Sequence, residues 1–247
     1  MIQAAVMETG WLEAESAQDF FAPMVSRRCR EKLRRVRPAG ARACSLGAEL
    51  LLRSVLARLG IPIVGELEEQ SGGKPFFPEA PCLCFNVSHS GAWAACVVSS
   101  RAAGVDIQEI RPLKADVAGR YFSRWEQEYI QKAENPEKAF IEIWALRESY
   151  MKKTGEGLAL PLESFSVGQG RGPLLPQHTW PDEGDRTAWG EAFQVIRNGQ
   201  PQPERFWLRE PVTGYMMAIC GQEEMAPRLW QTEEKEVKEL FGWNGPN

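Results

Sequence analysis

One long helix can be bounded at both ends from the sequence alone. Asn135-Pro136 forms an N-cap and first-position pair: the Asn side chain can accept from an orphan N–H, and Pro has no N–H to leave unpaired. Gly155 and Gly157 close the segment, because glycine tolerates the left-handed backbone that ends a helix. Between them lies I-E-I-W-A-L-R-E-S-Y-M-K-K, from Ile141 to Lys153. Trp144, Glu148 and Lys152 recur at i, i+4 and i+8, one above another on a single face. A carboxylate and an ammonium one turn apart can hold a metal and an anion in the same small volume. The alternative is a surface Glu–Lys pair adding ~0.2–0.5 kcal/mol to the helix. The helix alone does not choose between the two.

The rest of the chain reads as α+β. Residues 1–10 suit a first strand. Ser16 to Arg37 reads as one helix with Phe20, Phe21, Met24 and Val25 on its apolar side, broken by Pro38-Ala39-Gly40. Ser45 is placed to cap a second helix that stops at Gly60. S-G-G-K-P at 71–75 is a turn. Leu83–Val87 and Ala92–Ser99 read as strands around the turn S-H-S-G at 88–91. V-D-I-Q-E-I at 105–110 alternates as a strand, and Ser123-Arg-Trp-Glu126 has capping-box spacing. Further strands are predicted at Ser164–Val167, Trp189–Ile196, Glu204–Leu208 and Tyr215–Cys220. A Gly- and Pro-rich loop spans Gly168–Arg186, and a polar helix is expected at 232–241. Each half has a helix ending in Gly, a Gly-bearing turn and paired short strands. This order predicts two similar α+β units packed face to face, divided as 1–104 and 105–247, with the ligand crevice between them.

At 247 residues with 43% hydrophobic content, the chain can bury a sizeable core. The net charge of -4 gives no global case for nucleic acid or a membrane. No apolar run approaches the ~20 residues that cross a bilayer. The start, M-I-Q-A-A-V-M-E-T-G, lacks a basic region followed by an apolar stretch. No signal peptide is therefore expected, and a cytoplasmic location with reduced cysteines is. Cys82 and Cys84 read as buried small thiols on a strand: no second half of a metal site follows, and the histidines are His89 and His178. Positive charge gathers in Arg27, Arg28, Arg30, Lys32, Arg34, Arg35, Arg37 and Arg42, against the single acid Glu31. Such a cluster in an acidic protein points to an anion.

In a regular strand Asp106 and Gln108 share one face, and Val105, Ile107 and Glu109 the other. Asp106 and Glu148 could then share a metal, with Gln108 beside them, as Mg²⁺ is held by a few oxygens plus water and phosphate. The alternative is a polar edge strand whose Asp caps something nearby. F-N-V-S-H-S-G at 85–91 offers hydroxyls, N–H groups and an imidazole to an anion, and Lys74 a compact cation suited to phosphate. Alternatively the first is a plain hairpin turn and the second a solvated lysine. A Ser–His nucleophile pair is set aside, because no G-x-S-x-G elbow surrounds the serine.

Together F-N-V-S-H-S at 85–90, G-V-D-I at 104–107, W-A-L-R-E-S-Y-M-K at 144–152 and G-L-A-L-P-L-E-S-F-S-V at 157–167 resemble one family. It is the 4′-phosphopantetheinyl transferases of the surfactin-synthetase-activating (Sfp) type. The order and spacing match from about Arg28 to Cys220, and the length suits the double-unit class. The resemblance implies two similar α+β halves about a pseudo-twofold, acting as a monomer. It implies Mg²⁺-dependent transfer of the phosphopantetheine arm of coenzyme A to a serine of an apo acyl or peptidyl carrier protein, releasing 3′,5′-ADP. By motif match Asp106, Glu148 and Gln108 stand at the metal, and Glu148 and Lys152 at the reacting centre. Arg28, Lys32, Lys74, Ser88, His89 and Lys152 stand at the coenzyme A phosphates, His89 at the 3′-phosphate.

One position departs from the pattern. Gln108 stands where many such members carry an acid, so two carboxylates rather than three are expected on the metal, with weaker Mg²⁺ affinity. This keeps open a catalytically impaired module that binds coenzyme A or a carrier protein. A nucleic-acid binder using residues 27–42 is disfavoured by the net charge and the lack of a reading motif.

Overall fold

The computed structural model describes residues 1–62, 65–70, 73–112, 117–169 and 193–245. Along the chain lie β1 (Gln3–Glu8), α1 (Glu15–Phe21), α2 (Arg27–Arg35), α3 (Ala39–Arg58), β2 (Glu68–Glu69) and β3 (Pro75–Phe76). Then come β4 (Cys84–Ser90), β5 (Trp93–Ser99), β6 (Gly104–Glu109), α4 (Val117–Tyr121), α5 (Arg124–Lys132) and α6 (Pro136–Thr154). Last are β7 (Phe165–Gln169), β8 (Phe193–Arg197), β9 (Gln200–Val212), β10 (Tyr215–Gly221), β11 (Arg228–Gln231) and α7 (Glu234–Phe241). One sheet has the order β11-β1-β5-β4, the second β6-β10-β9-β8-β7, and β2-β3 is a small ribbon. β11 runs parallel to β1, so the end of the chain returns to the first sheet, and α7 packs on α3.

Period-two alternation decides the layering. β1 sends Ala5 and Met7 toward the α3 residues Leu46 and Leu50, and sends Ala4 and Val6 the other way. β5 splits likewise, with Ala94, Cys96 and Val98 toward α3 and Ala95 and Val97 away. In the second sheet Met216, Ala218 and Cys220 of β10 meet α6, while Met217 and Ile219 face the first sheet. The result is helix, sheet, sheet, helix, with the central strands β1, β5, β6 and β10 buried on both faces. Trp207, fully buried, fills the layer between the sheets. Each large apolar side chain removed from water contributes about 1.5–3 kcal/mol.

Helix α6 has the ends read from its sequence. The Asn135 side chain accepts from the Lys138 N–H at 2.9 Å, and Gly155 closes the helix at φ 77°. The Ser123–Glu126 capping box forms at the start of α5. Its Glu126 does more than cap: it accepts from Val167 N at 2.9 Å and from Arg147 Nη1 at 2.7 Å. Both charges are out of water, at 1% and 0% side-chain exposure. Arg147 also lies over the Phe165 ring, 4.5 Å from its centroid. One buried ion pair thereby ties α5, α6 and β7 together.

Several local expectations are corrected. Ser16–Arg37 is not one helix. Pro23, which has no N–H to donate, sits in a 3-10 turn at Ala22–Met24, and α2 restarts after Ser26, whose hydroxyl accepts from Cys29 N at 3.2 Å. Ser45 caps nothing: α3 starts at Ala39 directly after Pro38, whose ring fixes the entry angle, and Ser45 is buried inside the helix. Ala39 and Gly40 are already helical, so the break falls before them. S-H-S-G is not a turn either. β4 continues to Ser90, and the turn is Gly91-Ala92, with Gly91 at φ 56°. Cys82 is exposed ahead of the strand and Cys84 half-buried at its start, so neither is a buried core thiol. Glu204–Leu208 lies within the longer β9. Trp189–Ile196 is described only from Phe193, and Gly168–Arg186 only as far as Gln169; the remainder of both, and His178, lie outside the described residues. Among the described residues no helix is long and apolar enough to cross a membrane.

Removing Glu126 strands the Arg147 guanidinium in the core. Glu126→Ala should therefore lower stability by about 3–5 kcal/mol. The measurement is urea denaturation, read as a lower midpoint at unchanged slope. A loss below about 1 kcal/mol would show that the pair is not what joins these elements.

Candidate functional site

The two sheets meet edge to edge at β4 and β6, and side chains replace the missing backbone ladder. Asn86 Oδ1, Ser88 Oγ and Ser90 Oγ, alternate residues of β4, accept from the N–H groups of Val105, Ile107 and Glu109 at 3.0, 3.3 and 3.1 Å. At the start of β6, a Cβ on Gly104 would collide with the Ser149 carbonyl oxygen and the Lys153 nitrogen. Only glycine permits this backbone-on-backbone contact. It sets the last turns of α6, with Glu148 and Lys152, against Asp106 of β6.

A cavity of about 450 Å³ opens along this seam. Arg28 and Lys32 of α2, Lys74 ahead of β3, Ser88 and His89 of β4, Asp106 and Gln108 of β6, and Glu148 and Lys152 of α6 all line it. Arg28 and Lys152, which lie far apart in the sequence, are thus gathered around one space. Trp144, on the same predicted helix face, is instead stacked on Phe140, with ring centroids 6.1 Å apart. Glu109 turns away, as the alternation requires, and pairs with Arg111.

Asp106 is the centre of the polar network. It is 1% exposed. Its Oδ1 accepts from Lys152 Nζ at 2.6 Å and from Ser88 Oγ at 2.7 Å, and its Oδ2 accepts from Gln108 Nε2 at 2.8 Å. Lys152 Nζ also donates to Ser88 Oγ at 2.8 Å. Glu148 is half-buried and accepts no hydrogen bond from any described residue. Burial, and then the Asp106 charge, push the Glu148 carboxyl above its ordinary range. Burial, then the Lys32 and Lys152 charges, bring His89 down to about 4, so its imidazole is neutral at physiological pH. Burial also lowers Lys74, whose ammonium donates to the Lys153 carbonyl at 3.3 Å.

The cations of α2 are positioned from below. Glu49 of α3 accepts from Ser26 N at 2.6 Å and from Ser26 Oγ at 2.7 Å, pinning the start of α2, and is itself paired with the buried Arg53 at 2.8 Å. Arg28 pairs with Glu69 at the cavity mouth. Lys32 has no carboxylate partner among the described residues. A wall of cations facing two carboxylates suits a ligand that is a polyanion carrying a divalent ion.

The donor set fits Mg²⁺. Among the described residues no three of His, Cys, Asp and Glu gather as a complete cage. Mg²⁺ seldom needs one: it keeps water and uses one or two carboxylates plus substrate phosphates. Asp106 and Glu148 offer two hard carboxylates, with the Gln108 amide beside them, and Glu148 has no ion-pair partner among the described residues.

Several structural parts of the site escaped sequence reasoning. Arg147 stands next to Glu148 in the same motif but points about 100° around the helix axis, into the core rather than the cavity. Asn86 and Ser90 share the period-two pattern of β4, which could have marked them as one row. Gly104 and Glu49 act through contacts distant in sequence, and no local signal shows them.

Comparison with known proteins identifies the family. The 4′-phosphopantetheinyl transferase superfamily matches residues 102–214, which span β6, α5, α6 and β7–β9. A 4′-phosphopantetheinyl transferase of Bacillus subtilis is 37% identical over 155 residues, covering 61% of this chain and 69% of that protein. The 4′-phosphopantetheinyl transferase Sfp of Bacillus subtilis (strain 168) is 34% identical, covering 62% of this chain and 70% of its own length. The 4′-phosphopantetheinyl transferase psf-1 of Bacillus pumilus is 35% identical over 197 residues, covering 76% of this chain and 80% of its own length. The chain belongs to the 4′-phosphopantetheinyl transferase superfamily. Within it, the likeness is to the Sfp-like Bacillus enzymes, and the activity is that of a 4′-phosphopantetheinyl transferase.

The raised Glu148 carboxyl has a stability consequence whose sign is fixed. A carboxyl with a folded-state pKa above its unfolded value favours folding below the unfolded pKa, and that contribution is lost as pH rises through the folded pKa. At pH 8 without metal the ionised side chain therefore opposes folding. Glu148→Gln should melt above wild type at pH 8 in a chelator, with the difference vanishing toward pH 4. A lower melting point for the variant at pH 8 would contradict the burial of this charge.

Proposed function

We propose that this protein transfers the 4′-phosphopantetheine moiety of coenzyme A to a serine of an apo acyl or peptidyl carrier protein, giving the holo carrier and 3′,5′-ADP, with Mg²⁺. The supporting observation is that Asp106, Glu148 and Lys152 border the same cavity as Arg28, Lys32, Lys74 and His89. A carboxylate pair and a set of cations converge there as a metal-bound diphosphate would require.

In this reading the serine hydroxyl attacks the β-phosphorus, and the bond to the departing nucleotide breaks. Lys152 and Lys74 stabilise the charge growing on the diphosphate, and Arg28 and Lys32 hold the nucleotide phosphates. Glu148, bordering the same cavity, takes the serine proton. The neutral His89 meets the 3′-phosphate through hydrogen bonding, and the phosphate charge draws a proton onto the ring. A divalent ion held by Asp106 and Glu148, with Gln108 beside them, would neutralise diphosphate oxygens as a Lewis acid. Positioning and electrostatics supply most of the catalysis in reactions of this kind. Residues 1–104 contribute the phosphate contacts and residues 105–247 the metal and proton-transfer groups. The enzyme works as a cytoplasmic monomer.

The direct test is mass spectrometry of an apo carrier protein incubated with coenzyme A, Mg²⁺ and the enzyme. The carrier should gain one phosphopantetheine arm. Asp106→Ala and Glu148→Ala should lower the rate by about 10²–10⁴ while remaining folded. Coenzyme A binding with no transfer to any of several carriers would favour a binding module. For His89, the discriminating substrate is 3′-dephospho-coenzyme A. His89→Ala should raise KM for coenzyme A and leave KM for the dephospho form nearly unchanged. An equal rise for both would place the imidazole elsewhere.

A further inference from the structure

Asp106 poses an electrostatic problem that the network solves in one way. Its carboxylate is 1% exposed, so water cannot carry its charge, and a buried carboxylate without a counter-cation is strongly disfavoured. The cation present is Lys152, at 2.6 Å. Lys152 is in a different position, with its side chain 27% exposed, so its ammonium can be hydrated if it leaves. Asp106 thus needs a cation more than Lys152 needs Asp106.

Ser88 fixes where that cation rests. A hydroxyl has one proton to donate and two lone pairs to accept with. Ser88 Oγ donates to Asp106 Oδ1 and accepts from Lys152 Nζ at 2.8 Å and Ile107 N at 3.3 Å, so its capacity is filled. In this state it has no proton for a phosphate oxygen. It holds the lysine on the aspartate and is itself held by the β6 backbone. Glu148, one turn before Lys152 on α6, accepts nothing from the described residues. Among the described residues the pair of carboxylates therefore carries one ion-paired cation, seated on one of its two members.

We propose that Lys152 is the resident counter-ion of Asp106, latched there by Ser88, and that it is displaced into the cavity when a divalent cation takes its place on Asp106 and Glu148. The inference rests on the reading of those two residues as the metal ligands. Its consequence is an ordering of events. The lysine is withheld from the diphosphate until the ion is in place, and is then repelled toward the phosphates by the incoming double charge. Ser88 serves as a positioning residue through Lys152 and Asp106. Lysine and ion compete for one carboxylate, so each weakens the binding of the other by the same factor.

The test is calorimetric titration of the full chain with Mg²⁺, and separately Mn²⁺, in the absence of coenzyme A. Lys152→Met should bind either ion on the order of tenfold more tightly than wild type, because a competing charge at contact distance has been removed. Lys152→Arg, which keeps the cation, should bind like wild type. Equal affinity for wild type and Lys152→Met would overturn the latch while leaving the metal reading intact. Absence of ion binding in folded wild type and both variants would overturn the metal reading, and the latch with it. Should Lys152→Met fail to fold, the wild type still decides. The ¹⁵N ammonium resonance of Lys152 should move on saturation with Mg²⁺, and an unmoved resonance would overturn the displacement.

Discussion

The row of side-chain hydrogen bonds between β4 and β6 is the interaction on which the rest of the structure depends. Two edge strands would otherwise expose unpaired N–H groups at the seam between the sheets, an unfavourable arrangement wherever water is scarce. Asn86, Ser88 and Ser90 satisfy those groups without closing a continuous sheet. A backbone ladder would bring the strands to about 4.8 Å and seal the seam. Side-chain acceptors hold them farther apart and leave room for a cavity beside them. The site is therefore a direct product of how the sheets are joined.

The same seam sets the chemistry. Asp106 is buried because β6 lies between β10 and β4, and it is tolerated because Lys152, Ser88 and Gln108 all donate to it. Those donors come from three different elements, and Gly104 permits the approach of α6 that makes the lysine contact possible. Glu148 shares this enclosed space, and burial, then the Asp106 charge, raise its proton affinity. Stability and activity pull against each other here. A carboxyl that burial makes costly to leave charged in the resting enzyme also borders the cavity where the cations gather.

Much of the site was legible in the sequence, for a specific reason. Helical and strand periods place Glu148 with Lys152 and Asp106 with Gln108 without knowledge of the fold. The capping box at Ser123 and the Asn135-Pro136 start followed from local hydrogen-bonding rules, and both formed as expected. The errors arose where a local signal had two meanings. Ser45 can cap a helix or ride inside one, and the entry at Pro38 decided for the second. Ser-His-Ser-Gly can turn or extend, and the waiting N–H groups of β6 decided for extension.

What the sequence by itself determined was the inventory: short strands, capped helices, and pairs of functional groups fixed by repeat distance. These follow from backbone geometry, which acts over a few residues. Only the tertiary structure decided which pairs face one another. The glycine contact of β6 with α6, the hydroxyl row of β4, and the burial that isolates Asp106 all depend on elements far apart in the chain meeting at close range. Charge interactions depend on separation in space and on the exclusion of water. For that reason the roles of Arg147, turned into the core, and of Lys152, seated on an aspartate 46 residues away, were fixed by packing and not by sequence position.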